Sequence, residues 1–136
     1  MFVLENSFVR IQISGLGAEI NSVIHKSLGK ELIWQADKDI WARHAPVLFP
    51  IVGKLKNNTY QYEGNEYQLP QHGFARDKEF KLIAHSPSFV ELGLNETDET
   101  LLIYPFVFSL RIRYELNAQE IKCTYTVANT GNKELL

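Results

Sequence analysis

The amino-acid sequence predicts an all-β fold, an antiparallel β-sandwich, and two observations carry this prediction. Several segments alternate apolar and polar residues with a period of two, which is typical of half-buried antiparallel strands. Hardly any window has the period of a helix, although Asp37–His44 could hold one helical turn. Strands with one apolar face each bury those faces most readily between two stacked sheets.

The strands and their connections follow in chain order. Val9, Ile11 and Ile13 form the first apolar stripe. Hairpins are predicted around Glu63-Gly64-Asn65, Ser86–Ser88 and Leu116–Gln119. Two further stripes consist of Phe106, Phe108, Leu110, Ile112, Tyr114 and Leu116, and of Ile121, Cys123, Tyr125 and Val127. Since Cys123 belongs to an apolar stripe, we expect a buried structural thiol rather than a nucleophile.

Composition limits the classes of function. The chain has 136 residues, the size of one domain, and a formal net charge of −2. It therefore has no basic field, which argues against nucleic acid or an anionic membrane as a partner. The start of the chain does not resemble a signal peptide, and the longest apolar run, Ala45–Gly53, is too short to span a bilayer. With one cysteine and no internal disulfide, a cytoplasmic location is the default expectation.

The last residues suggest a strand that is only begun. After Val127 comes a turn, and Leu135-Leu136 then looks like the approach to another strand. Sandwich domains commonly run to about 200–250 residues. We therefore expect residues 1–136 to be an incomplete part of a longer sandwich, and sheet edges left exposed in this way would favour self-association.

The segment Leu69–Asp77 is the first candidate site. If it were extended, His72, Phe74 and Arg76 would share one face, with small residues between them that let a ligand approach the backbone. Imidazole and guanidinium can both bind hydroxyl groups, guanidinium can also bind phosphate, and an aromatic ring can stack on a sugar. The alternative is a solvated turn, in which Arg76 pairs with Asp77 or Glu79 and His72 caps a strand end.

A second candidate follows the apolar run that ends at Gly53. Lys54 could emerge at a pocket from a buried strand. From the residues alone, we favour the alternative that Lys54 and Lys56 are strand-edge charges that discourage aggregation.

Other chemistry lacks support in the sequence. His25, His44 and His85 have no partner at metal-ligand spacing, so no metal site is expected. The acidic run Asn95–Thr100 is expected to be a solvated loop, and nucleotide-binding and serine-hydrolase motifs do not occur.

Four motifs in order and at matching spacing resemble the aldose 1-epimerase (galactose mutarotase-like) family. They are FPIVGK (Phe49–Lys54), HGFAR (His72–Arg76), YPF (Tyr104–Phe106) and VANTG (Val127–Gly131). The pattern is most similar to LacX-type proteins and hexose-6-phosphate mutarotases. The resemblance implies a galactose mutarotase-like supersandwich with a sugar-binding cleft across one sheet.

The resemblance also implies a mechanism and roles for single residues. In the family a histidine acid and a glutamate base open and close the sugar ring without metal or cofactor, and both are expected beyond Leu136. His72 matches the first sugar-contacting histidine, and Arg76 matches an arginine able to meet a phosphate. Lys54 replaces an arginine found in many relatives, which keeps the charge but loses the two-pronged donor.

The sequence thus predicts the N-terminal part, residues 1–136, of a mutarotase acting on an aldose or aldose phosphate. Its expected substrate-binding residues are His72, Arg76, Lys54, Phe74 and Asp77. The chain alone is expected to be inactive. The alternatives are a non-catalytic carbohydrate-binding or sensing module, and a chain that completes its sandwich by pairing with another chain.

Overall fold

A computed structural model describes residues 1–135, and the strands within this range form two four-stranded antiparallel sheets and one hairpin. The strands of the first sheet are β1 (Phe2–Glu5), β2 (Val9–Ile13), β3 (Ile20–His25) and β4 (Lys30–Glu31). The hairpin consists of β5 (Thr59–Tyr62) and β6 (Asn65–Gln68). The second sheet contains β7 (Lys81–Ser86), β8 (Phe89–Asn95), β9 (Phe108–Asn117) and β10 (Glu120–Asn129).

Each of the two larger sheets is a simple meander. The first has the order β1-β2-β3-β4, and the second has the order β10-β9-β8-β7. The three predicted hairpin turns lie where expected, between β5 and β6, β7 and β8, and β9 and β10. The prediction of an all-β antiparallel fold is confirmed.

Alternating residues of the central strands form the core. On β2, Val9, Ile11 and Ile13 are buried, as the sequence predicts. On β9, every second residue from Phe108 to Leu116 is buried. Tyr114 adds a polar link between the sheets, because its hydroxyl donates to the carbonyl of Ala18, between β2 and β3, over 2.8 Å.

The prediction of a buried stripe on β10 is wrong in one respect. The four stripe residues of β10 stand opposite core residues of β9, from Leu110 to Leu116, so the stripe does lie on the core side of the sheet. Yet Tyr125 and Val127 are 56% and 50% exposed, and Cys123 is exposed rather than buried. The reason is position, because β10 is the outermost strand of its sheet and, within the described residues, has a neighbouring strand on one side only. Partial burial still raises the pKa of the Cys123 thiol, which argues against a nucleophile.

Three other local predictions need correction or refinement. Asn95–Thr100 is not only a solvated loop, because Thr97 caps a short helix, α1 (Asp98–Ile103), in a reciprocal capping box with Thr100. The segment leading to Lys54 is a loop rather than a strand, and Lys56 begins a 3₁₀ turn, Lys56–Asn58. Asp37–His44 does hold a single turn, since the amide of Trp41 donates to the carbonyl of Asp37 over 2.7 Å.

Within residues 1–135, no helix is long and apolar enough to cross a membrane. The predicted strand approach at Leu135-Leu136 can be followed only to Leu135, because Leu136 lies outside the described residues.

The Tyr114 link between the sheets can be tested. Tyr114→Phe removes the hydroxyl and leaves the buried carbonyl of Ala18 without this donor, so we expect the free energy of unfolding to fall by about 1–2 kcal/mol. Urea denaturation measures the change.

The matched control is Tyr67→Phe. The Tyr67 ring stacks on Tyr60, but its hydroxyl makes no hydrogen bond to any residue in the range 1–135. We expect a change within about 0.5 kcal/mol for this variant. Equal effects of the two substitutions would show that the Tyr114 bond does not stabilise the fold.

Candidate functional site

Two loops held together by backbone hydrogen bonds form the frame of the candidate site. The carbonyl of Phe49 accepts from the amides of Phe74 (2.9 Å) and Ala75 (3.2 Å), and the amide of His72 donates to the carbonyl of Gly53 (2.8 Å). At Gly73, with φ +69°, an added Cβ would overlap the carbonyl of Phe49. A glycine is therefore needed where the loops cross. We call residues 49–53 and 72–75 together the loop clamp.

The loop clamp also orients the imidazole of His72. The amide of Gly53 donates to His72 Nδ1 over 2.9 Å, so Nδ1 is an acceptor and carries no proton. In the neutral ring the proton is then on Nε2, which makes this atom a hydrogen-bond donor. Nε2 lies 3.3 Å from the Gln71 amide nitrogen, which is itself a donor, so this contact is not a hydrogen bond and Nε2–H remains available. His72 is thus held in a defined tautomer at a partly exposed position.

Arg76 and Asp77 belong to a 3₁₀ turn, Ala75–Asp77, that follows the clamp. The Arg76 Nη2 atom donates to the carbonyl of Gln71 over 2.9 Å, and its Nε lies 3.7 Å from Asp77 Oδ2. Arg76 Nε is shielded from solvent without a hydrogen-bond partner among the described residues. The other oxygen of Asp77 accepts from Arg43 Nη2 over 2.7 Å. The ion pair between Arg76 and Asp77, the alternative raised from the sequence, is therefore present.

Phe74 does not share a face with His72 and Arg76. The segment is not extended, because His72 has φ +66° and Ala75 begins the 3₁₀ turn. The Phe74 side chain is 4% exposed and packs in an aromatic cluster with Phe49, Tyr104 and Phe108. Its ring is part of the core, so it has no free face on which a sugar could stack.

Lys54 follows the clamp directly but stays apart from the other candidates. It is exposed and lies in a loop. Among the described residues it makes no hydrogen bond or ion pair, and it lines neither of the cavities that Arg76 lines. Its predicted contact with substrate stays a prediction.

His72 and Arg76 meet at one cavity. It has a volume of about 450 Å³. A second cavity of about 620 Å³ adjoins it, with Arg76 and Trp41 lining both. Together we call the two cavities the groove. The first is lined by Trp41, Ala45, Pro46, Leu48, His72, Arg76 and Tyr125, and the second by Ser14, Leu16, Glu19, Asn21, Trp41, Ala42, Arg43, His44, Arg76 and Asp77.

The wall opposite the clamp is the loop that carries Trp41. Glu19 fixes it, because Oε1 accepts from the amides of His44 (2.9 Å) and Ala45 (2.7 Å). The ion pair between Arg43 and Asp77 is a second contact that fixes the same loop. Glu19 and Asp77 therefore hold this wall in place, and Asp77 contributes to the groove by positioning as well as by lining it.

Tyr125, on β10, lines the first cavity. Burial, together with the neighbouring Cys123, raises the pKa of Tyr125 to about 12, so the phenol stays protonated at physiological pH. Sequence reasoning missed Tyr125 as a site residue because its stripe was assigned to the core. It missed Trp41 because the surrounding segment was considered only for helical periodicity.

The groove has no metal-binding arrangement within residues 1–135. No group of three histidine, cysteine, aspartate or glutamate side chains in that range could hold a metal ion. Its chemistry rests on imidazole, guanidinium, phenol and indole groups, which suit a ligand rich in hydroxyls.

Comparisons with known proteins agree on one family. The model of the family described as aldose 1-epimerase matches residues 1–136. The plasmid-encoded protein LacX of Lactococcus lactis subsp. lactis is 34% identical over 98% of this chain. A solved structure of a galactose mutarotase-like protein from Lactobacillus casei is 37% identical, with a TM-score of 0.96 over 99% of this chain. A galactose mutarotase related enzyme from Lactobacillus acidophilus is 43% identical, with a TM-score of 0.93 over 94% of this chain.

The relatives are longer proteins. This chain covers 46% of LacX, 46% of the Lactobacillus casei protein and 43% of the Lactobacillus acidophilus protein. The chain therefore spans a little under half the length of the relatives it matches.

The loop clamp can be tested at Gly73. Gly73→Ala places a methyl group against the carbonyl of Phe49 and forces alanine to a positive φ, so we expect a loss of at least about 3 kcal/mol in the free energy of unfolding. Chemical denaturation followed by circular dichroism measures it.

Gly29→Ala is the matched control. Gly29 also has a positive φ, +59°, but an added Cβ would meet nothing within 4 Å. This variant should lose only the conformational cost, about 1 kcal/mol. If both variants lose the same amount, the close approach at Gly73 does not determine stability.

Proposed function

The chain belongs to the aldose 1-epimerase family, and on that basis we propose that it supplies part of the sugar-binding cleft of a mutarotase. The reaction would interconvert the α and β anomers of an aldose or an aldose phosphate. The observation that supports this proposal is the meeting of His72 and Arg76 at one cavity. In this proposal residues 1–136 are the N-terminal part of one sandwich domain.

His72 and Arg76 are proposed to bind the sugar rather than to transfer protons. Because Nδ1 of His72 accepts from Gly53, the neutral ring offers Nε2–H as a donor to a sugar oxygen. Arg76 offers further N–H groups, since its Nη1 makes no hydrogen bond to the described residues. Both donors are fixed before a ligand arrives, which lowers the entropy cost of binding.

Ring opening needs a general acid at the ring oxygen and a general base at the anomeric hydroxyl. None of the described residues that line the His72 cavity is an aspartate or a glutamate. In the adjoining cavity, Glu19 and Asp77 are already engaged in holding the Trp41 loop. We therefore propose that the acid histidine and base glutamate are not among residues 1–135.

The same observation favours a second candidate function. A cavity with donors but without a carboxylate base fits a non-catalytic carbohydrate-binding or sensing module. The two candidates share the binding step and differ in whether anomers are interconverted. Self-association through the free edge of β10 and a cytoplasmic location stay predictions.

Sugar binding through His72 is tested by titrating the chain with D-galactose and D-glucose and following amide NMR shifts. His72→Ala removes one hydrogen-bond donor, so we expect the affinity for the bound sugar to fall roughly tenfold. His85→Ala, on the exposed part of β7, serves as the control and should change affinity less than twofold. Equal affinities for the two variants would remove His72 from the site.

Catalysis is tested by polarimetry on freshly dissolved α-D-galactose and α-D-glucose. Because the two carboxylates of the groove, Glu19 and Asp77, are engaged in holding the Trp41 loop, we expect the 136-residue chain to leave the rate of mutarotation at its buffer value. Strong acceleration that His72→Ala abolishes would overturn the assignment of His72 to binding and would make it the acid.

A further inference from the structure

Trp41 occupies the central position in the groove. It lines both cavities, and among residues 1–135 the only other one to do so is Arg76. Its backbone is fixed on both sides, because its amide donates to Asp37 (2.7 Å) and its carbonyl accepts from Trp34 Nε1 (2.8 Å). On the C-terminal side of Trp41, Asp77 binds Arg43, and Glu19 binds the amides of the next two residues. The indole is therefore presented on a firmly anchored segment.

The ring of Trp41 is available to a ligand. Trp41 is 49% exposed, and its indole makes no ring contact with another aromatic side chain within residues 1–135. Phe74, by contrast, uses its ring in the core aromatic cluster. A large flat apolar surface beside fixed hydrogen-bond donors is the arrangement that binds the C–H face of a pyranose while its hydroxyls are satisfied at the edge.

The groove has no surplus positive charge among its described residues. Its charged lining residues are two arginines, Arg43 and Arg76, and two carboxylates, Glu19 and Asp77. Both arginines face Asp77, at 2.7 Å and 3.7 Å. A phosphate dianion entering this groove would meet one carboxylate for every guanidinium and would compete with Asp77 for both of them.

We propose that Trp41 is the platform on which the sugar ring stacks, and that the charge-balanced groove beside it selects an uncharged aldopyranose over its phosphate ester. This inference rests on the proposed sugar-binding function and narrows it. It gives Trp41 the stacking role that the sequence assigned to Phe74. It also decides between the two substrate classes that the sequence left open.

The test uses the 136-residue chain with two pairs of probes: D-galactose with D-galactose 6-phosphate, and D-glucose with D-glucose 6-phosphate. Saturation-transfer NMR reports which sugar protons contact the protein, and amide shift titrations give dissociation constants at low and high salt. The variants are Trp41→Ala and Trp41→Phe. Ile40→Ala is the control, because Ile40 is 74% exposed and adjacent to Trp41 but lines neither cavity.

We expect a neutral sugar to bind with its C–H protons saturated and its phosphate ester to bind more weakly. Trp41→Ala should weaken binding about tenfold, the loss that follows from uncovering one face of an indole. Trp41→Phe should keep part of the affinity, and Ile40→Ala should change it less than twofold. Thermal unfolding of all variants controls for loss of structure.

Three results would overturn the inference. Equal affinities of Trp41→Ala and Ile40→Ala would exclude the platform. Equal or tighter binding of the phosphate ester would exclude the charge argument while leaving sugar binding intact, and weakening of that binding by salt would identify it as electrostatic. Failure of all four probes to bind would instead overturn the proposed function itself, and the inference with it.

Discussion

The crossing of two loops at Gly73 and Phe49 is the constraint on which the groove depends. One carbonyl, that of Phe49, satisfies two amides of the second loop, and the missing side chain of Gly73 lets the two backbones come close enough for this. The same contact fixes the positions of the residues on either side. Phe74 is directed into the aromatic core, while His72 stays partly exposed. The amide of Gly53 donates to His72 Nδ1 and so leaves the proton of the neutral ring on Nε2.

The two carboxylates of the groove hold its walls in position. One oxygen of Glu19 accepts hydrogen bonds from two backbone amides of the Trp41 loop, and Asp77 bridges two arginines from different segments. Such groups are costly to move, because breaking either set of bonds leaves charges or amides without partners. The groove is consequently preorganised by negative groups, whereas the groups left for a ligand are mainly donors and apolar surface. This division explains why a binding role follows from the described residues more directly than a proton-transfer role.

The fold was predictable from sequence because period-two alternation reports directly on which side of a sheet a residue lies, as on β2 and β9. Burial at β10 was not predictable, since it depends on whether another layer covers that side of the sheet. At the site, the HGFAR motif identified His72 and Arg76, but not the direction of Phe74. That direction depends on a positive φ at His72 and the 3₁₀ turn that follows, which an alternation pattern cannot express. Trp41 was missed because the place of its loop depends on bonds from neighbouring residues of that loop to Glu19 and Asp77, which are far away in the sequence.

Tyr125 lies on β10, opposite Ile112 of β9, and therefore comes late in the chain compared with the other residues that line the groove. The clamp and the Trp41 wall come from residues numbered below 78, whereas the remaining wall is contributed by the outermost strand, about fifty residues later. During synthesis at about 5–20 residues per second, the first two parts leave the ribosome seconds before Tyr125 does. Tyr125 is therefore the last of the described lining residues to leave the ribosome, and the lining of the groove is complete only once β10 has been synthesised.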